Sequence, residues 1–167
     1  MLRVTAHALL SLFLSLALTA VADDSSDRTA INALLDDFHL AASEADRDRY
    51  LGHFSTNGVF MGTDDWERWP LEDFTTYVEG RFSNGGGWTY TSEERYIAFS
   101  GAGDTAWFDE IMVSEKWGRF RGTGVLVQES GEWKLAHYSL TALVPNEEFE
   151  AVSKIATQGF EARETEE

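Results

Sequence analysis

The chain contains no cysteine and only two prolines among its 167 residues. Without cysteine there is no disulfide, no thiolate metal ligand and no thiol nucleophile, so stability has to come from packing alone. Bases are scarce as well: 13 Lys and Arg stand against 29 Asp and Glu, a formal charge of −16. A surface of that sign repels phosphate backbones and anionic headgroups, which argues against nucleic-acid or membrane partners. His39, His53 and His137 lie in separate segments without metal-ligand spacing. The acidic run Asp64-Asp65 lacks the alternating oxygens and the glycine of a calcium loop, so no metal is expected. A Gly-x-Ser-x-Gly elbow and a phosphate-binding loop are both missing, and no cofactor is implied. What the chain has in quantity is aromatic rings, 13% of all residues.

Residues 1–22 read as a secretory signal peptide. Arg3 supplies the positive start, Ala8 to Ala20 the apolar run, and Ala20-Val21-Ala22 a small-x-small cleavage site before Asp23. The run is shorter than the ~20 residues needed to span a bilayer. An exported protein, periplasmic or extracellular, is expected after cleavage near Ala22. Arg3 is the one base of this leader and no acid precedes Asp23, so the remainder carries a net charge of −17. That remainder has the length of one domain.

Residues 23–28 are polar and are expected to be a disordered linker. From Thr29 an apolar stripe begins, with Ile31, Leu34, Leu35, Phe38 and Ala42 at helical spacing. Asp46 is a candidate N-cap for a second, short helix burying Tyr50, Leu51 and Phe54. Asn57-Gly58 signals a turn, Val59-Phe60-Met61 a short strand, and residues 62–69 a loop. Pro70 then precedes a helix with Phe74, Tyr77, Val78 and Phe82 inward. After Asn84-Gly85-Gly86-Gly87, a hinge or turn, the period changes to two. Strands are predicted at about 88–100, 105–116, 118–129 and 132–143, and their short links make an antiparallel meander. Asn146 is a candidate cap for a final helix with Phe149, Val152, Ile155 and Phe160 on one face, and 161–167 is expected to be an acidic tail.

Helices followed by a long meander imply an α+β fold with a curved sheet wrapped around the N-terminal helices. Several pieces then resemble one family: the first helix from Ala30 to Ala45, Val59 to Asp64, Asp104 to Glu110, Arg121 to Val127, and Trp133 to Pro145-Asn146. They are similar to the SnoaL-like branch of the NTF2-like superfamily, and the resemblance spans nearly all of 29–160. It implies a cone-shaped α+β half-barrel of helices packed in a curved antiparallel sheet, often dimerised through the outer sheet face. Relatives include isomerases, polyketide cyclases, dehydratases and non-catalytic binding modules, so the fold alone does not name an activity. The isomerase aspartate aligns near Gly62 and its partner acid near Gly124. No Asp or Glu occurs from Lys134 to Asn146, where cyclase relatives place theirs.

Strand alternation sorts the remaining polar residues. Arg121, ahead of Gly122 and Gly124, is a candidate anchor for an anionic ligand, or an ion pair that fixes register. His137 is a candidate acid or base near neutral pH, or a hydrogen-bonded core histidine. Asp109 and Glu110, adjacent on one strand, point to opposite faces, so at most one enters a pocket. Each is a candidate general base or a salt-bridge partner of Arg121 or Arg95. Trp107, Tyr90, Trp66 and Tyr138 complete the expected ligand-binding set; Trp66 and Trp69 form a lid or cap the core. Three readings follow. The first is an exported domain with a pocket for a small hydrophobic or aromatic molecule. The second is an isomerase, cyclase or dehydratase using His137 with Asp109 or Glu110. The third is a homodimeric interaction module.

Overall fold

The computed structural model describes residues 24–165. Helix α1 (Asp24–Ser43) buries Ile31, Leu35, Phe38 and Ala42, the stripe expected from the spacing. It starts five residues before the stripe does. Trp133 Nε1 donates to Asp27 Oδ1 at 3.0 Å, and Arg28 donates to the Ile97 carbonyl and lies over the Phe99 ring. The described part of the segment expected to be a disordered linker, 24–28, is thus a first helical turn, held to the sheet by polar contacts that hydrophobic periodicity cannot register.

Helix α2 (Arg47–Gly52) begins at Asp46, whose side chain accepts from Arg49 N, and buries Tyr50. Strand β1 (Phe54–Met61) follows at once, so Phe54 belongs to the sheet and not to the helix. Asn57-Gly58 makes a register irregularity inside β1 in place of the expected turn. A Cβ at Gly58 would lie about 3.1 Å from the Leu135 carbonyl, which explains the missing side chain. Within the predicted loop, β2 (Arg68–Pro70) pairs antiparallel with β1. Pro70 leads directly into α3 (Leu71–Phe82), which buries Phe74, Val78 and Phe82 and leaves Tyr77 40% exposed, against the expectation that it faces inward.

The meander is β3 (Thr91–Phe99), β4 (Thr105–Ser114), β5 (Gly118–Glu129) and β6 (Glu132–Ala142), within a few residues of its predicted bounds. Ser130 and Gly131 both have positive φ, 55° and 84°, the backbone of a two-residue hairpin whose twist matches its strands. Strand β1 then lies parallel to β6, giving the sheet order β2-β1-β6-β5-β4-β3. The curved sheet holds α1 and α3 against its inner face, with Phe108, Met112, Leu126 and Leu135 in a shared core with Ile31, Phe38 and Phe74.

Burial settles which face is which. Phe108, Glu110 and Met112 of β4 point in, with Phe120, Gly122, Gly124 and Leu126 of β5. A register shift between Val125 and Leu126 inserts one residue into β6, so Leu135 and Tyr138 both point in. Simple alternation puts Leu135 and His137 on one face, and this bulge separates them.

Pro145 and a 3₁₀ turn (Asn146–Glu148) precede α4 (Phe149–Glu164), which runs as far as Glu164 into the segment expected as a tail. Its apolar stripe exists, but Phe149, Val152, Ile155 and Phe160 are 41–69% exposed. At its far end Arg163 contacts Asp64 at 3.0 Å, an exposed pair of small energetic weight.

Candidate functional site

Two places concentrate chemistry: a buried polar cluster under the sheet, and an open cavity at the mouth of the cone. The cluster is centred on Glu110, whose side chain is fully buried. His39 Nε2, from the buried side of α1, lies 2.7 Å from Oε1. Arg95, cross-strand from Glu110 on β3, donates from Nε to Oε2 at 2.9 Å, and its Nη1 reaches Asn32 and Asp36 of α1. Tyr138 approaches the same carboxylate at 3.4 Å from β6, across β5. It can do so because β5 has glycine there. A Cβ on Gly122 would meet the Tyr138 hydroxyl at 2.6 Å and Glu110 Oε1 at 3.0 Å. At Gly124 it would meet the His137 carbonyl and the Phe108 ring at 2.5 Å.

Burial alone would push the Glu110 carboxyl up, but contact with His39 and Arg95 outweighs it and holds Glu110 below the usual carboxylate range. Tyr138 moves well upward, first because it is buried and second because Glu110 is negative beside it. The cluster is an ion network joining α1, β3, β4 and β6, in which Arg95 Nη2 lies 2.9 Å from Glu110 Oε2 without a hydrogen bond of its own. Glu110 is therefore a salt-bridge partner of Arg95, one of the alternatives read from the sequence.

The cavity has a volume of about 330 Å³ and opens between α3, the turn joining β1 to β2, and the ends of β5 and β6. Its walls are Phe60, Trp69, Tyr77, Trp88, Tyr90 and Phe120, with Trp117 at the edge. Trp69 and Tyr77 stack 4.7 Å apart, and Tyr90 meets Phe120 edge-on at 5.1 Å. Burial pushes the Tyr90 phenol upward, so it stays neutral at physiological pH. Among the polar lining residues are Thr63, Glu67 and Arg81. Glu67 accepts from Asp64 N at 3.1 Å and folds over Gly62, where a Cβ would sit 2.1 Å from its oxygen.

Of the expected site residues, Tyr90 lines this cavity, while Glu110 and Tyr138 meet in the buried cluster. Asp109, Arg121, Trp107 and His137 all lie on the outer face. There His137 contacts Met61 Sδ at 3.2 Å. Thr123 of β5 pairs with Asp109 and Val125 with His137, so the two stand two strand spacings apart and two residues out of step, about 12 Å. Neither carboxylate forms an acid/base pair with His137: one is too far and the other faces inward. Arg121, exposed on β5, does not line the cavity. Trp66 is 60% exposed in the turn before β2, edge-on to Trp69 at 5.5 Å, outside the cavity wall. The sequence reading missed His39, Glu67, Arg81 and Trp88. His39 had a signal, being four residues after Leu35 on the buried side of α1. Glu67, Arg81 and Trp88 meet only through tertiary structure.

A curved, unclosed sheet wrapped around helices, with its cavity at the open end, defines the NTF2-like cone. The SnoaL-like domain profile matches residues 31–145, and the chain belongs to that family. No curated protein matches the sequence. Similar solved structures include a cystatin-like-fold domain of unknown function from Nostoc punctiforme, with TM-score 0.67, 13% identity, and coverage of 84% of this chain and 92% of the other. A candidate aromatic ring hydroxylase from Novosphingobium aromaticivorans has TM-score 0.61 at 20% identity, covering 72% and 92%. A candidate scytalone dehydratase from the same organism has TM-score 0.61 at 12% identity, covering 72% and 87%. At these identities the likeness is one of fold.

Removing one partner of a buried ion pair strands the other, so Arg95→Met is expected to lower stability by about 3–5 kcal/mol in urea unfolding. Because folding lowers the Glu110 pKa, its contribution is complete above the unfolded-state value and disappears as pH falls through the folded one. Wild type should therefore lose stability in that acid range, and Glu110→Gln should flatten this limb; an unchanged limb would contradict the assignment.

Proposed function

We propose that this protein binds a small hydrophobic or aromatic molecule in the cavity at the mouth of the cone. The observation that carries this reading is the wall of Trp69, Tyr77, Trp88, Tyr90 and Phe120 around an open space of about 330 Å³. That volume is at the small end of ligand pockets and suits a molecule of one or two rings. Aromatic walls offer flat apolar area at low entropic cost. The dehydratase and ring-hydroxylase names attached to two fold neighbours are compatible with such a ligand but carry no activity over to this chain. Catalysis through His137 has no assembled partner to support it.

Neutral 2-naphthol, titrated against intrinsic tryptophan fluorescence, should give saturable binding. Ala142 lines the cavity from the exposed end of β6, so Ala142→Phe should weaken that binding at least about tenfold while leaving the thermal midpoint within a few degrees. Absence of saturable binding to wild type would sink the reading.

The outer sheet face supports a second reading, a homodimer. Tyr96 on β3 is 64% exposed and Trp107 on β4 is 50% exposed, an apolar pair on an otherwise stable sheet. Light scattering should give twice the chain mass at micromolar concentration, and Trp107→Glu should halve it. A monomer throughout removes this reading. Export rests on residues 1–22, which lie outside the described residues; secreted material should begin at Asp23, and an intact Met1 would contradict it.

A further inference from the structure

The distribution of the few bases gives the cavity a chemical preference. Twelve Lys and Arg lie among the described residues, and seven of them contact a carboxylate. In a chain with more than twice as many acids as bases, pairing is the expected state of a base. Arg81 is an exception, and it lines the cavity. It stands in the last turn of α3, where Nε donates to the Gly86 carbonyl at 3.0 Å. That bond fixes the guanidinium plane and leaves both Nη atoms without a carboxylate partner among the described residues. Lys116 is another exception. Its Nζ lies 4.5 Å from the centroid of Trp117, a ring of the same cavity.

Two unpaired cations beside one aromatic cavity, on a chain that otherwise repels anions, have a specific use. An anion reaching this acidic surface needs a local counter-charge, and a guanidinium with two free nitrogens receives a carboxylate in bidentate fashion. Glu67 also lines the cavity, has no cation within ion-pair distance among the described residues, and spends one oxygen on the Asp64 amide. Its other oxygen can accept a hydrogen bond from a ligand hydroxyl. The cavity thus keeps a carboxylate and a guanidinium apart, with aromatic wall around both.

We propose that the ligand is a hydroxylated aromatic carboxylate. Its ring lies against the Trp69–Tyr77–Tyr90 wall, its carboxylate meets Arg81 with Lys116 alongside, and its hydroxyl donates to Glu67. This rests on the cavity being a binding site, as proposed above, and adds the charge and polarity of what binds. The anion anchor sought in Arg121 from the sequence is assigned instead to Arg81.

The test compares 4-hydroxycinnamate with its methyl ester by calorimetric titration at low salt. Wild type should bind the acid at least about tenfold more tightly than the ester, and added salt should narrow the gap. Arg81→Gln should bring the acid to the affinity of the ester and leave the ester unchanged, whereas Arg81→Lys should keep most of the preference. Because Arg81 also holds the Gly86 loop, Lys116→Gln, on an exposed turn, gives an independent reduction of the same preference. Equal affinity of wild type for acid and ester overturns the inference, as does an equal loss for both ligands in Arg81→Gln. Binding of the ester and of 2-naphthol without the acid overturns it while the pocket stands; binding of none of them removes both.

Discussion

The fully buried carboxylate of Glu110 is the constraint around which the inner side of this sheet is arranged. An ionised carboxylate without partners in a protein interior is prohibitively costly, so everything near it has to answer it. His39 arrives from α1, Arg95 from β3 and Tyr138 from β6, and three separate elements are thereby fixed relative to β4. The glycines of β5 follow from the same requirement. Side chains at 122 and 124 would occupy the space through which Tyr138 reaches Glu110 and in which Phe108 packs. A polar network of this kind adds less to stability than to uniqueness: displacement of α1 or β3 strands a charge.

Filling the deep interior in this way determines where empty space remains. Phe38, Phe108, Met112 and Tyr138 pack around the network, so the cone is solid at its base. The aromatic cavity lies toward the mouth, where α3 and the turn before β2 stand off from the ends of β5 and β6. The polar groups there belong to loops and helix ends, not to the strands. The proposed ligand chemistry therefore sits on elements different from those that hold the fold together, and either can change without the other.

Much of the fold was legible because its elements obey simple periods. The α1 stripe, the Asp46 cap, the helix after Pro70 and the four meander strands all follow from spacing and turn residues. The failures have identifiable causes. Asn57-Gly58 is a turn signal that serves as a bulge because β1 must follow β6 closely there. The start of α1 escaped notice because Asp27 and Arg28 are anchored by hydrogen bonds, not by burial. The site was less legible than the fold. Strand alternation puts adjacent Asp109 and Glu110 on opposite faces, yet which one points in depends on burial. One inserted residue in β6 sends His137 outward, and no alternation rule locates such a bulge. Glu67, ahead of α3, and Arg81, in its last turn, become neighbours of one cavity only after the chain folds.

The pairing of β1 with β6 has a consequence for how the chain is made. All other strand contacts join neighbours in sequence, through turns of a few residues. Strand β1 is complete before any residue of its parallel partner exists, and the edge it turns toward β6 stays unpaired until β6 emerges. The meander can fold hairpin by hairpin as it appears, whereas the N-terminal helices and β1 must wait for the strand that joins them to it. Biosynthesis thus leaves the front half of the domain dependent on the last strand, and a chain interrupted before Glu132 has no way to complete its core.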